Sequence, residues 1–239
     1  MRRCVIIGGA EIRTYDRVRQ YFRPDDFFIY CDCGLRHQKA LGAEPDLIVG
    51  DFDSHEKPET DRETIVLPVK KDDTDTVFAA KEAMRRGFDE FLLVGVSGGR
   101  LDHTLVNVYL LVMLREQGKR ALLVDDYSEM ELVGAEKVEI PERFPFYSLV
   151  NITGTARGIT ETGCKFQRGN SLRLPVRHQQ RGAAGADRCG LREGGTAAAH
   201  QGFPGGAARL IVFTPYVRKQ AESVAFSLFC LPLPMRHSS

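Results

Sequence analysis

A chain of 239 residues with 43% hydrophobic and 27% charged residues is long enough for one large soluble domain or two smaller ones. Its net charge of +1 excludes a uniformly basic or acidic protein, and no apolar run, not even VNVYLLVML at 106–114, approaches the roughly 20 residues of a membrane helix. The opening MRRCVIIGGAE has an apolar run too short for a signal-peptide core and predicts a first strand in a cytoplasmic protein. The six cysteines form no ladder, and Cys31 and Cys33 lack the second pair a zinc site needs, so reduced thiols are expected.

In chain order, residues 4–7 read as a β-strand meeting Gly8-Gly9, although the full G-x-G-x-x-G spacing of a dinucleotide loop is missing. Residues 13–22 place Tyr15, Val18 and Phe22 at helical spacing. A second strand at 27–30 runs into Asp32, a helix at 35–41 closes on Gly42, and a third strand at 47–49 ends in the stretch PDLIVGDFDS. A fourth strand at 64–67 precedes KKDDTDT, where Asp73 or Thr74 caps a helix over 75–86 that Gly87 ends. The apolar run 91–96 predicts a strand buried on both faces, followed by a helix over 104–117 and a strand at 121–124. This alternation predicts an α/β fold with a mostly parallel, Rossmann-like sheet flanked by helices, spanning 1–126. Short β-like runs at 130–133, 137–140, 147–152 and 158–159 then announce a small antiparallel β-sandwich domain opening at 127–170.

Acids crowd the strand ends and loops: Asp32, Asp46, Asp51, Asp53, Asp72, Asp73, Asp75 and Asp102, with Lys71 and Arg100 among them. Ligands bind beyond the carboxyl ends of strands in such sheets, and converging carboxylates repel unless a cation joins them. Oxygen donors without thiol or imidazole clusters point to Mg²⁺, and magnesium points to a phosphate substrate. Asp51 and Asp53 share a side if the backbone between them stays extended; the bland alternative is an acidic turn or helix cap. Gly98 and Gly99 offer backbone N–H groups and Arg100 a guanidinium to a phosphate. His103 reads as a helix-start capping or packing residue before a general base, and Ser54 and Asp46 complete the candidate set. No P-loop, nucleophile elbow or zinc helix is present.

PDLIVGDFDS, KDDTDT and GGRLDHTLVN, in this order and with the CDCG turn, closely resemble the bacterial thiamine pyrophosphokinase family over about residues 4–166. The resemblance implies an α/β catalytic domain, a β-sandwich, a homodimer, and transfer of pyrophosphate from Mg-ATP to the thiamine hydroxyl with release of AMP. It implies metal coordination by Asp51, Asp53 and Asp75, with Asp32, Lys71, Asp72, Thr74, Arg100, Asp102 and Asn107 lining the nucleotide and thiamine cleft. The acids alone equally permit a Mg-dependent nucleotide or sugar-phosphate hydrolase. A third reading is a nucleotide- or nucleic-acid-binding module working through a basic tail, although no nucleic-acid or membrane partner is expected.

The resemblance stops after GCKF at 163–166. Residues 168–239 hold ten basic residues, nine of them Arg, against three acids. The family's Gly-Ile-Ser-Asn turn is missing, and 175–184 reads PVRHQQRGAA without strand alternation. Written as CGG CAT CAG CAA CGA GGT and read one base on, Arg177 to Gly182 become Gly-Ile-Ser-Asn-Glu-Val. A frame displaced from somewhere between 166 and 177 therefore accounts for an aberrant or disordered 171–239, an incomplete sandwich and impaired activity; a genuine basic arm is the alternative.

Overall fold

The computed structural model describes residues 1–53, 58–133, 138–141, 143, 144 and 146–152, and beyond them the strands given below as far as residue 215. Ser54, the GCKF segment at 163–166, and residues 216–239 lie outside the described residues.

Burial places the centre of the sheet at β1 (Arg3–Ile7), where Cys4, Val5, Ile6 and Ile7 are wholly inaccessible. A strand covered on both faces needs an unbroken apolar run, which this one has. β2 (Phe27–Cys31) lies parallel to it on one side and β5 (Glu90–Val94) on the other. β3 (Leu47–Gly50) and β4 (Glu63–Val66) continue outward from β2, and β6 (Arg120–Val124) from β5, giving the parallel order β4-β3-β2-β1-β5-β6. The chain moves out from β1 to β4 and returns on the other side. The point between β1 and β5 is thus the topological switch point, where diverging connections open a crevice at the strands' carboxyl ends.

Alternate side chains divide the core into two layers. Val5, Ile7, Tyr30, Leu92, Val94 and Val124 pack with Ile12, Val18 and Leu41, which belong to or flank α1 (Tyr15–Arg19) and α2 (Gln38–Leu41). Cys4, Ile6, Ile29, Leu47, Val49 and Leu93 face α3 (Asp75–Arg85) and α4 (Leu101–Glu116), whose Ala79, Ala80, Ala83, Leu110, Leu111 and Leu114 are buried. Each large side chain so buried contributes about 1.5–3 kcal/mol. Three alanines let α3 lie close to the sheet, and Glu82 pairs with Arg85 and Arg86 while Arg86 reaches Glu63 on β4, tying the helix to the sheet edge.

Several elements differ in extent from the sequence reading. Residues 35–41 divide into a 3-10 turn (Asp32–His37) and the single α-turn of α2, which ends on Gly42 at φ +63°. β5 stops at Val94 because Gly95, at φ +62°, turns the chain. α4 starts three residues before the expected 104: extended Arg100 is its N-cap, and Thr104 Oγ1 accepts the Gly98 N–H at 3.0 Å and donates to the Arg100 carbonyl at 3.1 Å. These bonds draw Leu101, Asp102 and His103 into the first turn.

Beyond Asp126 the pairing becomes antiparallel. β7 (Ser128–Val133) pairs with β6, so the sheet continues across the expected boundary instead of ending there. The turn between them is pinned to the crevice: Asp125 accepts from Ser97 Oγ at 3.1 Å, and the Asp126 carboxylate accepts the N–H groups of Arg13 and Thr14. β15 (Leu210–Pro215), β9 (Phe146–Asn151) and β13 (Arg177–Arg181) extend this ten-stranded sheet. β8 (Val138–Ile140), β11 (Ile159–Thr162) and β14 (Cys189–Glu193) form a second sheet, and β10 (Thr155–Arg157) pairs with β12 (Ser171–Arg173). β13 falls within 175–184, where the sequence shows no strand alternation. Its register against β9 is made by backbone groups, which do not require that pattern.

At the switch point two glycines touch. A Cβ on Gly95 would stand 2.7 Å from the Gly8 carbonyl oxygen, and one on Gly8 would stand 2.6 Å from that of Gly95. With a positive φ added, Gly95→Ala is expected to lower unfolding stability by about 2–4 kcal/mol in chemical denaturation. A loss below about 1 kcal/mol would show that β1 and β5 do not need this close approach.

Candidate active site

Three acids from three elements meet at the carboxyl edge of the parallel sheet. Asp32 follows β2, Asp51 follows β3, and Asp75 opens α3; one carboxylate oxygen from each lies within 4.8 Å of the others. The crowding is built into the backbone, because a Cβ on Gly50 would come within 2.9 Å of the Asp32 Cβ, so only glycine lets β3 end this close to Asp32. Thr74 caps α3, its Oγ1 accepting the Val77 N–H at 3.4 Å, and this presents Asp75 from the helix's first turn.

Lys71 stands among these acids. Its Nζ is 2.5 Å from Asp51 Oδ2 and 2.6 Å from Asp75 Oδ1. The two carboxylates respond differently. The bond from Lys71 holds the Asp51 carboxyl below the usual range, whereas burial raises that of Asp75 despite the same ammonium, with the charges of Asp51 and Asp32 adding to the rise. Burial alone would lower the Lys71 ammonium, and its bonds to Asp51 and Asp75 more than reverse this. Three carboxylates against one ammonium leave negative charge uncompensated. Asp32 is only 7% exposed, and its Oδ1 is buried without a hydrogen-bond partner. A buried, unpartnered carboxylate oxygen beside two more carboxylates fits a hard divalent cation.

The other candidate residues divide. Asp53 is not brought into the cluster: Phe52 adopts φ +53°, so the extended backbone that would have aligned Asp51 and Asp53 is broken. Asp53 is exposed, its N–H donating to Asp51 Oδ1 at 3.4 Å, and Asp32 takes its place in the group. Asp46 lies at the opposite end of β3, about four residues or roughly 13 Å from Gly50. It exchanges two bonds with the Phe28 backbone, its carboxylate accepting the Phe28 N–H at 2.8 Å. Its role is to set the register of β2 and β3. Asp72 is exposed, and Asp73 pairs outward with Lys81.

On the far side of the switch point, Gly98 and Gly99 adopt φ of +94° and +68°, and a Cβ on either would meet nothing within 4 Å. Both are exposed at the start of α4, where the Gly98 N–H is donated to Thr104 Oγ1. Arg100 and Asp102 pair at 2.6 Å with side chains 70% and 62% exposed, and His103 is exposed beside them. Asn107 is buried; its Nδ2 donates to the Val96 carbonyl at 2.8 Å, and its Oδ1 has no partner. It therefore ties α4 to the end of β5. The sequence reading missed the bridging position of Lys71 and the membership of Asp32 in the carboxylate group, although both were named as cleft residues. No helix among the described residues is long and apolar enough to cross a membrane.

Comparison with known proteins bears on this arrangement. The family model for the thiamin pyrophosphokinase catalytic domain matches residues 18–123, which include all three clustered acids, Lys71 and the Gly98–Asn107 segment. The thiamine pyrophosphokinase of Bacillus subtilis is 25% identical over 178 residues, covering 71% of this chain and 83% of the relative. The crystal structure of the Bacillus subtilis enzyme superposes with a TM-score of 0.73 at 19% identity, covering 91% of this chain and 100% of that one. That of the thiamin pyrophosphokinase from Geobacillus thermodenitrificans gives 0.73 at 20% identity, covering 91% and 99%. The Candida albicans structure gives 0.66 at 13% identity, covering 90% and 89%. Residues 18–123 thus match the thiamin pyrophosphokinase catalytic domain, and the chain shares the fold of the solved thiamin pyrophosphokinases.

Proposed function

We propose that the chain is a thiamine pyrophosphokinase that transfers the β,γ-pyrophosphoryl group of ATP to the hydroxyl of thiamine. The observation that carries this reading is the Asp32, Asp51 and Asp75 group with its orphaned oxygen, set within a matched catalytic domain. In the transfer, the thiamine hydroxyl oxygen bonds to the β-phosphorus and its proton leaves. The bond from that phosphorus to the oxygen bridging to the α-phosphorus breaks, and AMP departs.

Asp32, Asp51 and Asp75 would hold Mg²⁺, with Asp53 joining them on the resemblance alone. When bound, the ion neutralises charge on the phosphate chain. The Gly99 N–H and the guanidinium of Arg100 bind phosphate oxygens from the opposite lip. Arg100 holds the Asp102 carboxyl below its ordinary range, which makes Asp102 a weak base and suits it to orienting the hydroxyl. A cytoplasmic homodimer accords with this reading. An exposed apolar line on α4, Leu101 at 72%, Leu105 at 50% and Tyr109 at 66%, is surface of the kind a second subunit covers. Sedimentation as a monomer at micromolar concentration would remove the dimer from the account.

The segment after 166–177 remains, in this reading, a product of a displaced frame. Thr196 to His200 add support, since codons for TAAAH read one base on permit Leu-Leu-Leu-Leu-Ile, an apolar run suited to a core strand. A frame-restored chain should then exceed this one in turnover, and equal turnover, or gene reads showing one continuous frame, would refute the displacement.

The function is tested by incubating the chain with Mg-ATP and thiamine. Equimolar AMP and thiamine diphosphate are expected, and Asp75→Asn should reduce their formation by about 100-fold or more. Free phosphate formed at the same rate without thiamine would instead establish the hydrolase reading.

A further inference from the structure

Lys71 occupies the position that a cation would take. Its ammonium contacts the same two carboxylates that the metal reading assigns to the ion, at 2.5 and 2.6 Å, with its side chain only 17% exposed. The members of this cluster are not equally anchored. Asp32 and Asp51 follow buried strands and Asp75 is locked into a capped helix, whereas Lys71 arrives from the irregular segment between β4 and α3, where Val69 is 63% exposed. A second cation cannot approach these oxygens closely while the ammonium remains, because like charges a few ångströms apart in a partly dry site repel. Lysine is suited to leaving: its charge is a compact point on a flexible stem, without the planar, two-pronged grip of arginine.

We propose that Lys71 is a resident counter-ion, exchanged for the divalent cation. In the metal-free protein it holds Asp51 and Asp75 together against their mutual repulsion. When a divalent cation takes those carboxylates, Lys71 releases them and its ammonium becomes available to the phosphate chain that the nucleotide brings. The cation is therefore bound at a cost set by Lys71, and nucleotide phosphate recovers that cost by giving the ammonium a new partner. Cation and nucleotide then bind cooperatively through one side chain. This rests on the metal reading given under Proposed function and adds to it a competitor inside the site.

The test uses Mn²⁺ as the probe, without nucleotide, with free ion followed by electron paramagnetic resonance. Lys71→Gln is expected to bind Mn²⁺ about tenfold or more tightly than the wild type, and Lys71→Arg, which keeps the charge, to remain within about threefold of it. The KM for Mg-ATP should rise in Lys71→Gln even as metal affinity improves. Equal or weaker Mn²⁺ binding by a folded Lys71→Gln overturns the proposal. Should that variant not fold, the wild type carries the test through acetylation of lysines read by mass spectrometry. Labelling of Lys71 should increase on addition of Mg²⁺, while Lys81 and Lys119, paired with Asp73 and Asp89, serve as references. Unchanged labelling in protein that demonstrably binds Mn²⁺ overturns the exchange alone. A wild type that binds no Mn²⁺ overturns the metal reading as well.

Discussion

Repulsion among Asp32, Asp51 and Asp75 is the constraint around which the catalytic half is arranged. Carboxylates brought within 4.8 Å of one another destabilise the fold unless positive charge joins them, and among the described residues Lys71 supplies it. The surroundings keep the acids in place at the expense of local ease. Gly50 yields its side chain to Asp32, Thr74 caps the helix that presents Asp75, and Phe52 takes a left-handed backbone immediately after Asp51. A non-glycine residue in that conformation costs of order 1–2 kcal/mol and usually marks a functional position.

The two lips of the crevice do different work. On the β2–β3 side the groups are anionic, partly buried and held by packed elements. On the β5–α4 side Gly98, Gly99 and Arg100 are exposed, open and cationic or donor-rich. The switch point between β1 and β5 separates them, and Gly8 and Gly95 allow the two edges to approach. A phosphate chain lying across such a gap meets opposite charge through a cation on one lip and directly on the other. That asymmetry suits a pyrophosphoryl donor better than a small neutral substrate.

Much of this was legible in the sequence because Asp32 and Asp51 follow short apolar runs and KDDTDT precedes an amphipathic helix, so spacing alone located the rim. Asp53 could not be placed because its direction depends on a single dihedral angle at Phe52. Asp46 precedes the strand at 47–49, so sequence order already set it at the amino-terminal end, away from the rim; what spacing could not show is its bond to the Phe28 backbone. Lys71 was recognised as a cleft residue, but contact with both acids arises from loop geometry that no periodicity encodes. The start of α4 was hidden likewise, since Thr104 acts through bonds back to Gly98 and Arg100.

The central claim is that the carboxylates of Asp32, Asp51 and Asp75 share one divalent cation. Anomalous diffraction from crystals grown with Mn²⁺ tests it most directly. The account predicts a peak bonded to oxygens of all three residues, with the Lys71 ammonium withdrawn from Asp51 and Asp75. A peak held by Asp53 without Asp32, or no peak at this rim while the ammonium keeps both contacts, would contradict it.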